Sequence, residues 1–177
     1  RLLPRILFVL EMGLSFDLLV VPQRTDGLLE LLDFLGIDCL VLSVREVAGC
    51  RFKKIFAVDD FDPEGVFSSG CVRRIERLAR AVGARIGSDK KAIYVSRQLQ
   101  ARSRPKYRPL MNEAEVEGVV RAHGFSPVFP ETMPLMKQVA LCAQAERIVG
   151  PSGSGMLGAM FARRGVPVLD LESFTYT

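Results

Sequence analysis

The residues with the clearest chemical use lie between Arg147 and Glu172, in R-I-V-G-P-S-G-S-G-M-L-G-A-M-F-A-R-R-G-V-P-V-L-D-L-E. Gly150, Gly153, Gly155 and Gly158 fall within nine residues, with Ser152 and Ser154 between them. Ile148 and Val149 end a short apolar run, Met156 to Arg164 reads as a helix, and Val166 to Leu171 reads as the next strand. A strand that opens through a glycine loop into a helix turns backbone N–H groups and a positive helix end toward one point, which suits a phosphate. Glycine serves where the backbone must approach a ligand closely or take a positive φ. The two serine hydroxyls add donors. Ser152, Gly153, Ser154 and Gly155 are therefore candidate anion ligands.

The same stretch admits two other readings. It can be a tight strand-to-helix turn that binds nothing. It also contains G-x-G-x-x-G, as Gly153-Ser154-Gly155-Met156-Leu157-Gly158, with Asp170 on the following strand, the pattern of an NAD(P)-type dinucleotide module. Against that module, the fingerprint stands near the end of the chain, whereas it usually opens its domain.

Other strand ends supply further candidates. Arg97 directly follows the apolar run Ala92-Ile93-Tyr94-Val95, so a buried strand fixes its place, and a guanidinium suits bidentate binding of phosphate. Arg102, Arg104, Lys106 and Arg108 follow in a loop interrupted by Pro105 and Pro109, and read as solvated. Glu131, after Val128-Phe129-Pro130, is placed to accept from ribose hydroxyls or to sit in the first turn of a helix. Asn112 reads as a helix N-cap, at a place that can also line a cleft. Gln138 lies on a helix, where solvent exposure is the plain alternative to a place in the cleft. Asp60 and Asp62 form a D-x-D pair before Pro63, which reads as a turn, as a pair able to hold a divalent cation against a nucleotide diphosphate, or as a source of a general base. His123 is the single histidine, and it stands at a helix end before Gly124; no G-x-S-x-G elbow accompanies it.

Alternating elements must position these groups. Leu2–Met12 is a helix or buried strand, with Pro4 favouring a helix start. Phe16–Val21 reads as a strand, and 27–35 as a helix with Leu28, Leu29, Leu31, Leu32 and Leu35 on one face and Gly36 as its stop. Strands follow at 38–44 and 54–58, a helix at 72–82, a strand at 92–96, a helix at 113–122, a strand at 127–129, a helix at 135–143, and the strand into the glycine loop. Such alternation predicts an α/β fold of Rossmann-like parallel sheets. Gly83, Gly87, Ser88, Asp89 and two lysines mark a seam. It divides an amino-terminal α/β domain, residues 1–86, from a carboxy-terminal Rossmann-like domain, residues 87–177.

Composition narrows the class. At 177 residues, 49% apolar and 25% charged, the chain has the balance of a soluble globular protein. Its net charge of +4 does not call for nucleic acid. No run of 18 apolar residues supports a membrane span, so any membrane contact is expected to be peripheral. Cys39, Cys50, Cys71 and Cys142 show no C-x-x-C spacing and read as buried free thiols of a reducing, cytoplasmic compartment, with no zinc site.

Taken in order, one series of motifs resembles glycosyltransferase family 61. It runs through Ile93-Tyr94-Val95-Ser96-Arg97, Asn112-Glu113, Gly124-Phe125, Pro130-Glu131, Gln138-Val139, Ala145-Glu146-Arg147-Ile148-Val149-Gly150 and Gly153 to Phe161. The resemblance covers about residues 92–171 closely, and residues 4–82 in style only. It implies a GT-B type architecture, inverting transfer from a nucleotide-sugar donor, most readily a UDP-sugar, to a hydroxyl of a glycan or polysaccharide, and no required metal or other cofactor. It also implies that Arg97 and the glycine loop grip the donor diphosphate, with Asn112, Glu131 and Gln138 along the nucleoside side. Members usually carry His-Gly-Ala-Gly where this chain has Ser152-Gly153-Ser154-Gly155, so a role played by that imidazole is not carried here, and a non-catalytic homologue is the alternative. Donor sugar, acceptor, catalytic base and oligomeric state stay open, with Asp60 and Asp62 the candidates for the base.

Overall fold

The computed structural model describes residues 2–58, 69–89, 92–99 and 110–172. Asp60 and Asp62 lie outside these, as do Arg102, Arg104, Lys106 and Arg108. The chain divides into two compact units, Arg1–Arg77 and Leu78–Thr177.

The first unit opens with α1, Leu2–Glu11, so the ambiguous start is a helix. Strand β1, Leu18–Val21, helix α2, Asp26–Phe34, and strand β2, Leu40–Ser43, then form a β-α-β unit. Its strands pair in parallel, Leu18 opposite Leu40 through Val21 opposite Ser43. Thr25 caps α2, its hydroxyl accepting from Leu28 N at 3.3 Å. Gly36, at φ +67°, ends the helix, and Ile37 N donates to Leu32 O while Gly36 N donates to Asp33 O. That pair of bonds satisfies carbonyls the last turn would otherwise leave open. Leu28, Leu31 and Leu32 are buried, but Leu29 is exposed, so the apolar face is narrower than the sequence suggests.

Residues 54–58 are not a strand, contrary to expectation. Positions 51 to 57 are all exposed, so the run has no buried face to hold it in a sheet. Instead, the Lys54 ammonium sits 4.6 Å from the centre of the Phe56 ring.

Helix α3, Ser69–Arg85, is longer than the expected 72–82, and the division between the units falls inside it. Gly83, taken from sequence as part of a loop, is helical: a Cβ there would stand 3.5 Å from Ala143 Cβ, so the small residue permits close packing.

The second unit holds β3, Ala92–Val95; α4, Glu113–Ala122; β4, Ser126–Val128; α5, Leu135–Gln144; β5, Arg147–Pro151; and β6, Val168–Leu171. All four strands are parallel, in the order β4-β3-β5-β6. Every residue of β3 is buried, and four of the five in β5. Such continuous apolar strands belong in the middle of a parallel sheet covered on both faces. Helix α4 ends at Gly124, φ +80°, with the same two-bond closure as α2, and His123 Nδ1 lies 2.9 Å from Val119 O at that helix end, as expected.

The segment after β5 departs from expectation. It is a helix, as expected, but of 3₁₀ type and over Ser154–Phe161 rather than 156–164. Three of its residues are glycine or alanine, and Gly158 packs so tightly that a Cβ would lie 3.2 Å from Cys142 Sγ. The tighter coil brings its backbone against α5.

The strand order has a functional consequence. From β3 the chain crosses through α4 to β4 on one side, and from β5 it crosses to β6 on the other. Connections leaving two adjacent strands in opposite directions open a crevice outside their carboxyl ends, where α/β proteins hold ligands.

Candidate functional site

Arg97 follows β3 and the glycine loop follows β5, so both stand at that crevice. Side chains of a strand alternate between faces, and the exit of β3 uses both. The ladder runs one residue beyond the strand, with Ser96 N donating to Val128 O at 2.9 Å. Odd positions meet the glycine loop. A Cβ on Gly150 would fall 3.0 Å from Val95 Cβ and 2.6 Å from Met156 Sδ, and one on Gly155 would fall 3.4 Å from Val95 Cγ1. A Cβ on Gly153 would overlap the Arg97 guanidinium outright, coming within 2.9 Å of its Cζ. Gly153 also sits at φ +135°, ψ −163°, a conformation nearly confined to glycine. The loop's lack of side chains is thus used to seat a guanidinium against its backbone.

Arg97 is buried, 8% exposed. The loop around it is more open: Gly153 and Ser154 are exposed, and Ser152 and Gly155 are half-buried. Ser152 N is taken, donating to Leu171 O at 3.0 Å, and this extends the pairing of β5 with β6. Met156 N donates to Gly153 O, the first turn of the 3₁₀ helix. The N–H groups that precede a helix's first bond have no partner within it, and here they belong to Gly153, Ser154 and Gly155.

Even positions of β3 turn to α4. Glu113, the first residue of α4, is 5% exposed. Its Oε1 accepts from Arg97 N at 2.5 Å, from Ser96 Oγ at 3.1 Å and from Tyr94 Oη at 3.4 Å. Burial first, and the Glu113 charge next, push the Tyr94 hydroxyl above the usual tyrosine range, so it stays protonated and donates. A second tie runs from Gln98 Nε2 to Glu117 Oε2 at 2.9 Å. Sequence reading passes over Glu113 in favour of its neighbour Asn112. Asn112 does stand at the N-cap, but its side chain makes no capping bond and is exposed. The available signal is a carboxylate at the first position of a helix that follows a buried strand with hydroxyls at alternate positions.

Beside the loop lies a mostly apolar cavity of about 210 Å³, bounded by Val95, Val128, Gln138, Cys142, Ser154 and Phe161 among others. Gln138 is half-buried rather than exposed, and its Nε2 donates to Pro130 O at 2.8 Å and to Met133 O at 2.9 Å, bracing the turn Pro130–Thr132. Glu131 is exposed on that turn and does not border the cavity. Of the three residues expected along the nucleoside side, Gln138 alone borders this cavity. Cys142 and Cys71 are buried, but Cys50 is exposed and Cys39 half-buried, so burial of the thiols holds only in part. Among the described residues no helix is long and apolar enough to cross a membrane.

A parallel sheet with helical crossovers, and an arginine against a glycine loop at its switch point, is a mixed α/β arrangement compatible with a Rossmann-like fold. The chain belongs to glycosyltransferase family 61, whose family model it matches over residues 1–169. At the level of family it is a glycosyltransferase. No curated protein and no solved structure matches it.

Proposed function

We propose that this protein transfers a sugar from a nucleotide-sugar donor, most readily a UDP-sugar, to a hydroxyl of a glycan or polysaccharide, with inversion, on a GT-B type scaffold whose residues 1–86 serve the acceptor. The observation that carries the reading is the Arg97 guanidinium seated against Gly153 at the switch point between β3 and β5. A diphosphate there meets a fixed cation and the leading N–H groups of the 3₁₀ helix. In the transfer, the acceptor oxygen bonds to the anomeric carbon, the bond from that carbon to the diphosphate oxygen breaks, and a carboxylate takes the acceptor proton. Asp60 and Asp62 are the candidates for that base. Charge developing on the leaving diphosphate falls on Arg97, a preorganised partner that strengthens as the bond breaks. The guanidinium supplies the positive charge that a divalent cation would bring, so the reading asks for no resident metal.

The test is a thermal-shift screen in EDTA against UDP, GDP, ADP, their sugar conjugates and NAD(H). A nucleoside diphosphate or its sugar conjugate at a hundred times its Kd should stabilise the fold by about 2.7 kcal/mol. Arg97→Ala should abolish the shift. Stabilisation by NAD(H) alone would transfer the site to a dinucleotide, and no stabilisation by any nucleotide would leave a non-catalytic homologue. An undiminished shift in Arg97→Ala would remove that residue from the site.

A further inference from the structure

We infer that Glu113 is a positioning residue that sets Arg97 against the glycine loop and thereby fixes the affinity for the donor's diphosphate; the inference rests on the proposed function above. One carboxylate oxygen of the buried Glu113 gathers three donors from the exit of a single strand: Tyr94 Oη, Ser96 Oγ and Arg97 N. Strand alternation makes this possible. Tyr94 and Ser96 share one face and turn to Glu113, while Val95 and Arg97 share the other and turn to Gly150, Gly153 and Gly155. Glu113 therefore holds the backbone of Arg97 from behind while the side chain reaches forward. The contact to Arg97 N is the shortest of the three, at 2.5 Å, and it fixes the peptide from which the guanidinium springs. Ser96 Oγ also accepts from Gln98 N at 3.3 Å, so the clamp extends to the residue beyond Arg97.

A carboxylate at the start of a helix is also favoured by the helix itself, and in that simpler role Glu113 would support α4 alone. The two roles separate in a measurement that reads the phosphates. Nucleoside diphosphates (UDP, GDP, ADP) and their monophosphates are titrated calorimetrically into wild type, Arg97→Ala, Glu113→Asp and Glu113→Gln, with melting temperatures recorded in parallel. Glutamine keeps a carbonyl oxygen at the same reach; aspartate withdraws it by one methylene. Wild type should prefer the diphosphate, and Arg97→Ala should lose the preference. Glu113→Asp should lose about tenfold in the diphosphate-to-monophosphate affinity ratio, and Glu113→Gln should stay within about threefold of wild type. A lower melting temperature with an unchanged ratio in Glu113→Asp would overturn the inference and leave the donor site standing. No diphosphate preference in wild type, or one that survives Arg97→Ala, would overturn both. Should Glu113→Asp not fold, Glu113→Ala removes the acceptor from Arg97 N and from both hydroxyls, and an unchanged ratio there would overturn the inference equally.

Discussion

Gly153 carries two constraints that one methyl group would break. Its backbone conformation costs other residues about 1–3 kcal/mol, and the space a Cβ would take is filled by the Arg97 guanidinium. Gly153→Ala should therefore destabilise the second unit by about 1–3 kcal/mol in urea denaturation. The displaced guanidinium should cost about tenfold in nucleoside-diphosphate affinity. Loss of stability with unchanged affinity would mean that the guanidinium's seat on the loop does not matter to the ligand. Cys142 makes a prediction of another kind. Burial pushes its thiol up from an ordinary value of 9.0 to about 11. The folded state then holds the proton more tightly than the unfolded chain does. The contribution is complete below pH 9 and is lost as pH rises toward 11. The slope is at most about 1.4 kcal/mol per pH unit, giving about 2–3 kcal/mol over the window. Chemical denaturation of wild type against Cys142→Ala across that range should give converging stabilities; parallel curves would show the thiol titrating as in the unfolded chain.

Elements in the second unit are joined by a few polar residues whose partners are far away in sequence. Gln144, the last residue of α5, donates from Nε2 to Gly83 O at 2.6 Å and accepts at Oε1 from Ser88 N. It satisfies a carbonyl in the last turn of α3 and an N–H of the linker together. Gln144→Ala leaves both without that partner and should cost about 1–3 kcal/mol, readable as a lowered urea midpoint at constant slope. A change under half a kilocalorie would show that water replaces the amide. Helix stops were legible at this scale, because Gly36 and Gly124 end α2 and α4 through the local conformation that glycine alone adopts readily. The span of α4 was legible too, within the alternation of strands and helices. The 54–58 strand was misread, and the helix expected over 156–164 falls at 154–161 as a 3₁₀ coil, for one reason: composition reports a preference, and neighbours decide how it is realised. The first segment has no buried face, and the second is drawn tight against Cys142.

At the scale of the whole molecule, the order β4-β3-β5-β6 makes neighbours of two strand ends that are 55 positions apart, Arg97 and Ser152. Nucleotide binding should slow amide hydrogen exchange in residues 93–98 and 150–158 and leave 18–21 and 40–43 unchanged. Protection confined to 18–43 would move the site to the first unit. Family membership, the alternation of strands and helices, and the candidacy of Arg97 and Gly153 were all legible in the sequence, since each depends on residue type and near neighbours. The pairing of β3 with β5, the guanidinium lying on the loop, and the burial of Glu113 against the exit of β3 were decided by tertiary structure alone. Sheet order and the meeting of side chains across it come from packing between distant segments, and no local pattern encodes which strand lies beside which.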